Sequence, residues 1–252
     1  MREEASVEVS FKDPRNLVTT ADLASEKAII SIIKDCFPTH QILAEESSAP
    51  VDRELLGHGP VWVIDPIDGT TNYAHGHPQV GISIGWVFDG VAEVGVVFAP
   101  FQSELFSATR GAGAECNGKP ISVTKTRELS NALVATGFPY ERDGVERIGQ
   151  RLTRVLAVCR DIRRCGAGSL DLCWVACGRL DAFYEQGLSP WDCAAGKVIV
   201  REAGGSISHF AAPDIYPASE REKVAYENDL NGQNLVAATP GILEELIKLL
   251  NE

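Results

Sequence analysis

Val7, Val9 and Phe11 alternate with polar neighbours, the period of two that marks a half-buried strand. Lys12-Asp13-Pro14-Arg15-Asn16 then reads as a turn or loop. Over residues 21–37 the apolar positions Ala24, Ala28, Ile29, Ile32 and Ile33 fall at helical spacing, with Thr19 or Thr20 placed to cap the start and Pro38 just past the end. Gln41–Ala44 predicts a short strand running into Glu45-Glu46, and 61–64 (Val-Trp-Val-Ile) a buried strand ending at Asp65. Residues 80–88 and Val91–Ala99 flank Asp89-Gly90, a strong hairpin signal. Glu104–Thr109 and 121–123 predict two further strands, the second entered through Asn117-Gly118. Beyond that, 145–159 has the pattern of an amphipathic helix and 162–165 that of a strand, followed by Gly166-Ala167-Gly168. Residues 169–178 read as helix and 181–185 as strand. Pro190-Trp191-Asp192 opens an Ala-rich helix that ends before Gly204-Gly205. Strands at 207–210 and Leu235–Ala238 and a helix at 241–250 complete the pattern. Meander plus helix, then alternating strand and helix, predicts an α/β chain of α+β type, with parts 1–130 and 131–252 packed into one unit.

Composition narrows the possibilities. The length of 252 residues allows one or two domains and a sizeable core. Thirty-five acidic residues against 23 basic ones give a net charge of −12, which disfavours a nucleic-acid partner. No apolar run reaches the roughly 18 residues that cross a bilayer, so no membrane partner is expected. The acidic start Met1-Arg2-Glu3-Glu4-Ala5 is unlike a secretory signal. The seven cysteines, odd in number and mostly within apolar stretches, read as reduced thiols, which places the protein in the cytoplasm or, after loss of a transit segment, in an organelle.

Chemistry concentrates in Trp62-Val63-Ile64-Asp65-Pro66-Ile67-Asp68-Gly69-Thr70-Thr71-Asn72. A buried strand delivers two carboxylates into a Pro/Gly turn; Pro66 fixes one φ, Gly69 admits a ligand close to the backbone, and Thr70-Thr71 can start a helix whose N–H groups suit an anion. Carboxylates beside free amides suit a hard cation plus phosphate. An isolated Asp-x-x-Asp is an ordinary turn; the buried strand, the Gly and the two Thr together point to a site. Glu45-Glu46 alone is a solvated acidic pair, and Asp192 alone is a helix N-cap.

These segments resemble the inositol monophosphatase family. Asp65 to Asn72 and Pro190-Trp191-Asp192-Cys193-Ala194-Ala195-Gly196, continuing to Glu202-Ala203-Gly204-Gly205, are similar to its two signature motifs, and Ala44-Glu45-Glu46-Ser47 to its upstream metal-binding segment. Leu17-Val18-Thr19-Thr20-Ala21-Asp22 and Asn117-Gly118 fit as well. The resemblance implies alternating α-β-α-β-α layers, as in inositol monophosphatase and fructose-1,6-bisphosphatase-like folds. It implies that Glu45, Asp65 and the carbonyl of Ile67 hold one Mg2+, that Asp65, Asp68 and Asp192 hold a second, and that a third, looser ion sits near Glu45; Mn2+ is a possible substitute. Unneutralised, acids this close would raise one another's pKa.

The resemblance further implies that a water is the nucleophile, with Thr70 and Asp22 as the dyad that orients it, though Asp22 is equally a helix N-terminal acid favouring the dipole. Gly69 and Thr70 offer N–H groups to phosphate oxygens. Asp68, Asp192, Glu185 and the amides of Ala167 and Gly168 meet the leaving alcohol; read alone, Glu185 is a surface acid and the Gly turn a plain connection. Lys12 falls in the loop that closes over the third ion. The implied function is Mg2+-dependent hydrolysis of a small phosphate monoester, foremost myo-inositol monophosphate, by a lithium-sensitive homodimer. Histidinol phosphate and fructose 1,6-bisphosphate are the alternatives within the class, and a non-catalytic, protein-binding regulatory role the alternative outside it.

Overall fold

Helix α1 (Thr20–Cys36) starts on a capping box: Thr19, in extended backbone, accepts from the N–H of Ala21 at 3.2 Å and donates its own N–H to Asp22 at 2.9 Å. The computed structural model describes residues 9–13, 16–47, 58–139, 144–210 and 229–252. An antiparallel hairpin, β1 (Val9–Asp13) and β2 (Asn16–Thr19), leads into α1. Lys12, Asp13 and Asn16, read above as loop, are therefore strand residues: Asp13 pairs with Asn16, and Lys12 sits at an irregularity between Phe11 and Asp13; Val7, Pro14 and Arg15 lie outside the described residues.

Seven strands form the first sheet in sequential order: β3 (Gln41–Ala44), β4 (Pro60–Asp68), β5 (Gly81–Phe88), β6 (Val91–Ala99), β7 (Glu104–Thr109), β8 (Gly113–Cys116) and β9 (Lys119–Pro120). The β3–β4 pair is parallel and the others are antiparallel. Asp89 and Gly90 turn β5 into β6 with φ of 48° and 80°, the two positive values such a two-residue turn needs. Two expectations are corrected. Residues 121–123 are not a strand; the hairpin is β8–β9, turning at Asn117-Gly118. Strand β4 does not stop at Ile64 but continues through Asp68.

The second sheet has five strands in the order β11-β10-β12-β14-β13: β10 (Leu133–Thr136), β11 (Asp161–Arg163), β12 (Ala182–Glu185), β13 (Ser206–His209) and β14 (Leu235–Ala238). Strand β10, which the polarity pattern did not single out, is central here and runs parallel to both β11 and β12. Helices α2 (Thr70–His75), α3 (Val145–Val158), α4 (Gly168–Ala176), α5 (Pro190–Glu202) and α6 (Leu243–Asn251), with a 3-10 turn at Leu129–Asn131, complete the described elements.

Contacts between elements order these parts into layers. Helix α1 packs on β4; α5 lies across β4 to β8 on the other face; α4 packs on α5 and reaches β12 and β14; α3 and α6 pair on the outside of the second sheet. The arrangement is α-β-α-β-α. The core between the sheets gathers Val63, Phe106, Leu170, Leu172, Ala195, Phe183 and Leu235, all nearly inaccessible, and α4 and the 193–200 stretch of α5 are accordingly buried almost all round. Among the described residues no helix is long and apolar enough to cross a membrane, and all seven cysteines are free thiols.

Candidate active site

The pairing of β4 with β5 shows how the strand itself builds the site. Asp65 pairs with Ser83 and Asp68 with Gly81, so three steps along β4 match two along β5. This is a bulge of one residue. Side chains three apart on a regular strand point to opposite faces; the extra residue brings Asp65 and Asp68 to the same face, since Ser83 and Gly81 are two apart. The segment expected to be a Pro/Gly turn is thus a bulged strand end, a place where Pro66 removes no ladder hydrogen bond that the sheet needs.

Two neighbouring elements deliver the other acids. Glu45 follows β3, and its N–H donates to the carbonyl of Ile64 at 3.1 Å, which places it beside Asp65. Glu26 of α1 anchors the same turn by accepting the N–H of Glu46 at 2.8 Å. Asp192 stands in the first turn of α5. It is not the N-cap but the third helical residue, accepting the N–H of the cap residue Ser189 at 2.7 Å. The Ser83 hydroxyl donates to the carbonyl of Trp191 at 3.1 Å and so ties this helix start to β5. One carboxylate oxygen from each of Asp65, Asp68 and Asp192 lies within 4.8 Å of the other two.

Electrostatics follow from this crowding. Burial pushes the Asp65 carboxyl well above the usual carboxylate range, and the negative charges of Glu45, Asp68 and Asp192 push it further. Asp192 is raised well above its ordinary value by burial and then by Asp68 and Glu45. Burial lifts Asp68 to about 6, against the pull of the Ser169 hydroxyl and N–H. The donor set is all oxygen, anionic and short of positive charge, and this fits a hard divalent cation.

Thr70 opens α2 directly after Gly69, whose φ of 89° and the 2.8 Å that a Cβ would have to the Gln79 carbonyl leave no other residue room. The Thr70 hydroxyl lies 3.1 Å from Oδ1 of Asp22 and 3.2 Å from the carbonyl of Ile67. Oδ2 of Asp22 is occupied by the N–H and hydroxyl of Thr19. Asp22 therefore makes two contacts at once: one oxygen caps α1 and the other meets Thr70.

On the second half's side, Ala167 and Gly168 are buried at the start of α4, and Glu185 ends β12. A Cβ on Gly168 would stand 3.9 Å from Oε2 of Glu185, so these expected substrate contacts share one wall. Burial raises Glu185 to about 8, with Arg164 pulling the other way. Two residues that the sequence reading quoted without a role matter here. Ser169 donates its N–H, at 2.7 Å, and its hydroxyl to Oδ2 of Asp68. Asn72 directs its amide at the carbonyls of Gln79, 2.7 Å away, and Cys165, 2.9 Å away, and so joins α2 to the loop before α4. Asn72 closes the acidic segment and Ser169 opens the helix read over 169–178, but nothing in residue type showed which neighbour they would meet. Of Lys12, only the backbone is described.

A profile of the inositol monophosphatase family matches residues 1–252. The chain belongs to the inositol monophosphatase family. Within that family it is 40% identical over 245 residues to Inositol monophosphatase 1 of Solanum lycopersicum, covering 96% of this chain and 85% of that protein. It is 38% identical over 242 residues to Nus factor SuhB of Pasteurella multocida (strain Pm70), with the same coverage of 96% and 85%. The crystal structure of extragenic suppressor protein suhB from Bartonella henselae superposes with a TM-score of 0.83 at 35% identity, covering 98% of this chain and 89% of that one. Membership of the inositol monophosphatase family, with inositol monophosphatases among the relatives, supports a phosphatase.

Proposed function

We propose that this chain hydrolyses myo-inositol monophosphate to inositol and phosphate with the help of divalent metal ions, Mg2+ first and Mn2+ as a substitute. The observation that carries the reading is the convergence of Asp65, Asp68 and Asp192 within 4.8 Å. Glu45, Asp65 and the Ile67 carbonyl would hold one ion, Asp65, Asp68 and Asp192 a second, and Glu45 the edge of a third. When bound, the ions polarise the phosphoryl oxygens and lower the pKa of a water.

The chain's own groups account for orientation. The hydroxyl proton of Thr70 has two acceptors, Asp22 and Ile67. Where the Ile67 carbonyl would ligate an ion, Asp22 is the remaining one; the Thr70 oxygen is left to accept a hydrogen bond from the attacking water, and as it takes that water's proton its own hydroxyl proton passes to Asp22. The N–H groups of Gly69 and Thr70 hold phosphate oxygens. Glu185, the amides of Ala167 and Gly168, and the carboxylates of Asp68 and Asp192 receive the hydroxyls of the leaving alcohol.

The test is a panel of myo-inositol monophosphate, histidinol phosphate and fructose 1,6-bisphosphate, each with a Mg2+ titration. The highest kcat/KM belongs to myo-inositol monophosphate; a preference for either rival overturns the substrate. We further propose a cytoplasmic homodimer, and light scattering that returns a monomer mass overturns the dimer.

One observation favours a second role. A relative at 38% identity is named Nus factor SuhB, which supports a protein-binding function beside catalysis. A specific partner retained by an inactive Asp65→Asn variant supports it, and loss of all partners in that variant removes it.

A further inference from the structure

Gly137 follows β10 and faces the end of the parallel neighbour β12, where Thr136 pairs with Tyr184 and Glu185 comes next. A Cβ built on Gly137 would lie 1.9 Å from Oε2, 2.1 Å from Cδ and 2.3 Å from Oε1 of Glu185. All three carboxyl atoms thus occupy the volume that any other side chain would need, far inside the 3.0 Å that real Cβ contacts respect. The φ of Gly137 lies outside the left-handed region, so its main chain does not demand glycine. The demand comes from the carboxylate. On the far side a Cβ on Gly168 would only touch the same Oε2, at 3.9 Å. Crowding is therefore specific to position 137.

We propose that Gly137 is a positioning residue for the alcohol side of the site: without a side chain, it lets the Glu185 carboxylate lie against the main chain, where it accepts the hydroxyls of a neutral polyol leaving group. The inference rests on the role given to Glu185 above. A methyl at position 137 forces the carboxylate into another rotamer. The three atoms nearest that methyl all belong to Glu185 and none to the acidic cluster or Thr70, so the loss falls on alcohol recognition.

The experiment compares myo-inositol 1-phosphate with p-nitrophenyl phosphate, whose leaving group has no further hydroxyls. In Gly137→Ala, KM for myo-inositol 1-phosphate rises about tenfold, the scale of losing one buried hydrogen bond, while p-nitrophenyl phosphate turnover and the Mg2+ half-saturation stay unchanged. Glu185→Ala raises the KM for myo-inositol 1-phosphate at least as far. Adding Gly137→Ala to Glu185→Ala has no further effect, because the carboxylate that the methyl would displace is gone. An equal loss on both substrates, or a full Gly137→Ala effect in the Glu185→Ala background, identifies a merely structural glycine and overturns the proposal. Failure of Gly137→Ala to fold, cured by Glu185→Ala, supports it; failure in both backgrounds overturns it. If Glu185→Ala leaves the KM of myo-inositol 1-phosphate unchanged, the role of Glu185 falls. If Glu185→Ala raises that KM and Gly137→Ala does not, the positioning role alone falls.

Discussion

The Thr70 hydroxyl sits 3.1 Å from Oδ1 of Asp22, across 48 residues of chain. Helix α1 and the strand end that carries the acids are thereby joined at the pair proposed to orient the attacking water. Because Oδ2 of Asp22 caps α1, removing the carboxylate charge has two separable consequences. Thr70→Val lowers kcat by about 10²–10⁴-fold, the range of positioned proton transfer, and leaves the α1 cap on Oδ2 intact. Asp22→Asn gives a similar fall in kcat and in addition weakens the cap by about 1 kcal/mol. Steady-state kinetics and thermal melts on the two variants check this; equal melting with equal kinetics contradicts the division of labour.

Crowded acids make the metal-free site a source of instability. Replacing Asp65, buried and repelled by three neighbours, with Asn removes a charge that folding must dehydrate. Asp65→Asn therefore abolishes Mg2+-dependent turnover yet melts higher than the unmutated protein in EDTA. A lower melting temperature contradicts the electrostatic account.

The same crowding sets a pH dependence. Asp68 is raised from 3.8 to about 6 and Glu185 from 4.5 to about 8. A group raised on folding contributes stability that is fully present below its unfolded pKa and is lost as pH climbs through the folded value. Metal-free Tm therefore declines from about pH 4 to about pH 8, and the gain in Tm from Mg2+ widens over the same window. Differential scanning fluorimetry with EDTA and with Mg2+ measures both curves; a gain that narrows toward pH 8 is the contrary result.

Ser169 holds Oδ2 of Asp68 with two donors, its N–H at 2.7 Å and its hydroxyl. It thereby fixes the rotamer that turns the acid toward its neighbours. Ser169→Ala raises the Mg2+ concentration for half-maximal activity by about 10-fold or more, as loss of a ligand's outer partner does, with kcat at saturating Mg2+ nearly retained. A Mg2+ titration of activity reads this directly, and an unchanged midpoint counts against it.

Much of this was legible in the chain. The hairpin at Asp89-Gly90, a cap at Thr19 or Thr20 (it is Thr19) and the strands Gln41–Ala44, Glu104–Thr109 and Leu235–Ala238 follow local rules of turn chemistry and periodicity, and the structure bears them out. The acids themselves stood out by type. What sequence could not convey is register. Reading 65–68 as a turn misses that a single extra residue against Ser83 and Gly81 turns Asp65 and Asp68 to one side. Strand β10 escaped notice because Leu133–Thr136 is four residues long and buried among neighbours of its own sheet, leaving no alternation to detect. Gly137 escaped for a similar reason: its requirement lies in Glu185, close in space through β10–β12 pairing but distant along the chain.

The central claim is that the acids brought together on the bulge and on α5 serve metal-dependent phosphate hydrolysis. The most direct measurement is phosphate release from myo-inositol monophosphate as Mg2+ is titrated into the unmutated protein and into Asp192→Asn. The account predicts turnover that needs Mg2+ in the first and is abolished at every Mg2+ concentration in the second. Turnover in EDTA, or full activity in Asp192→Asn, contradicts it.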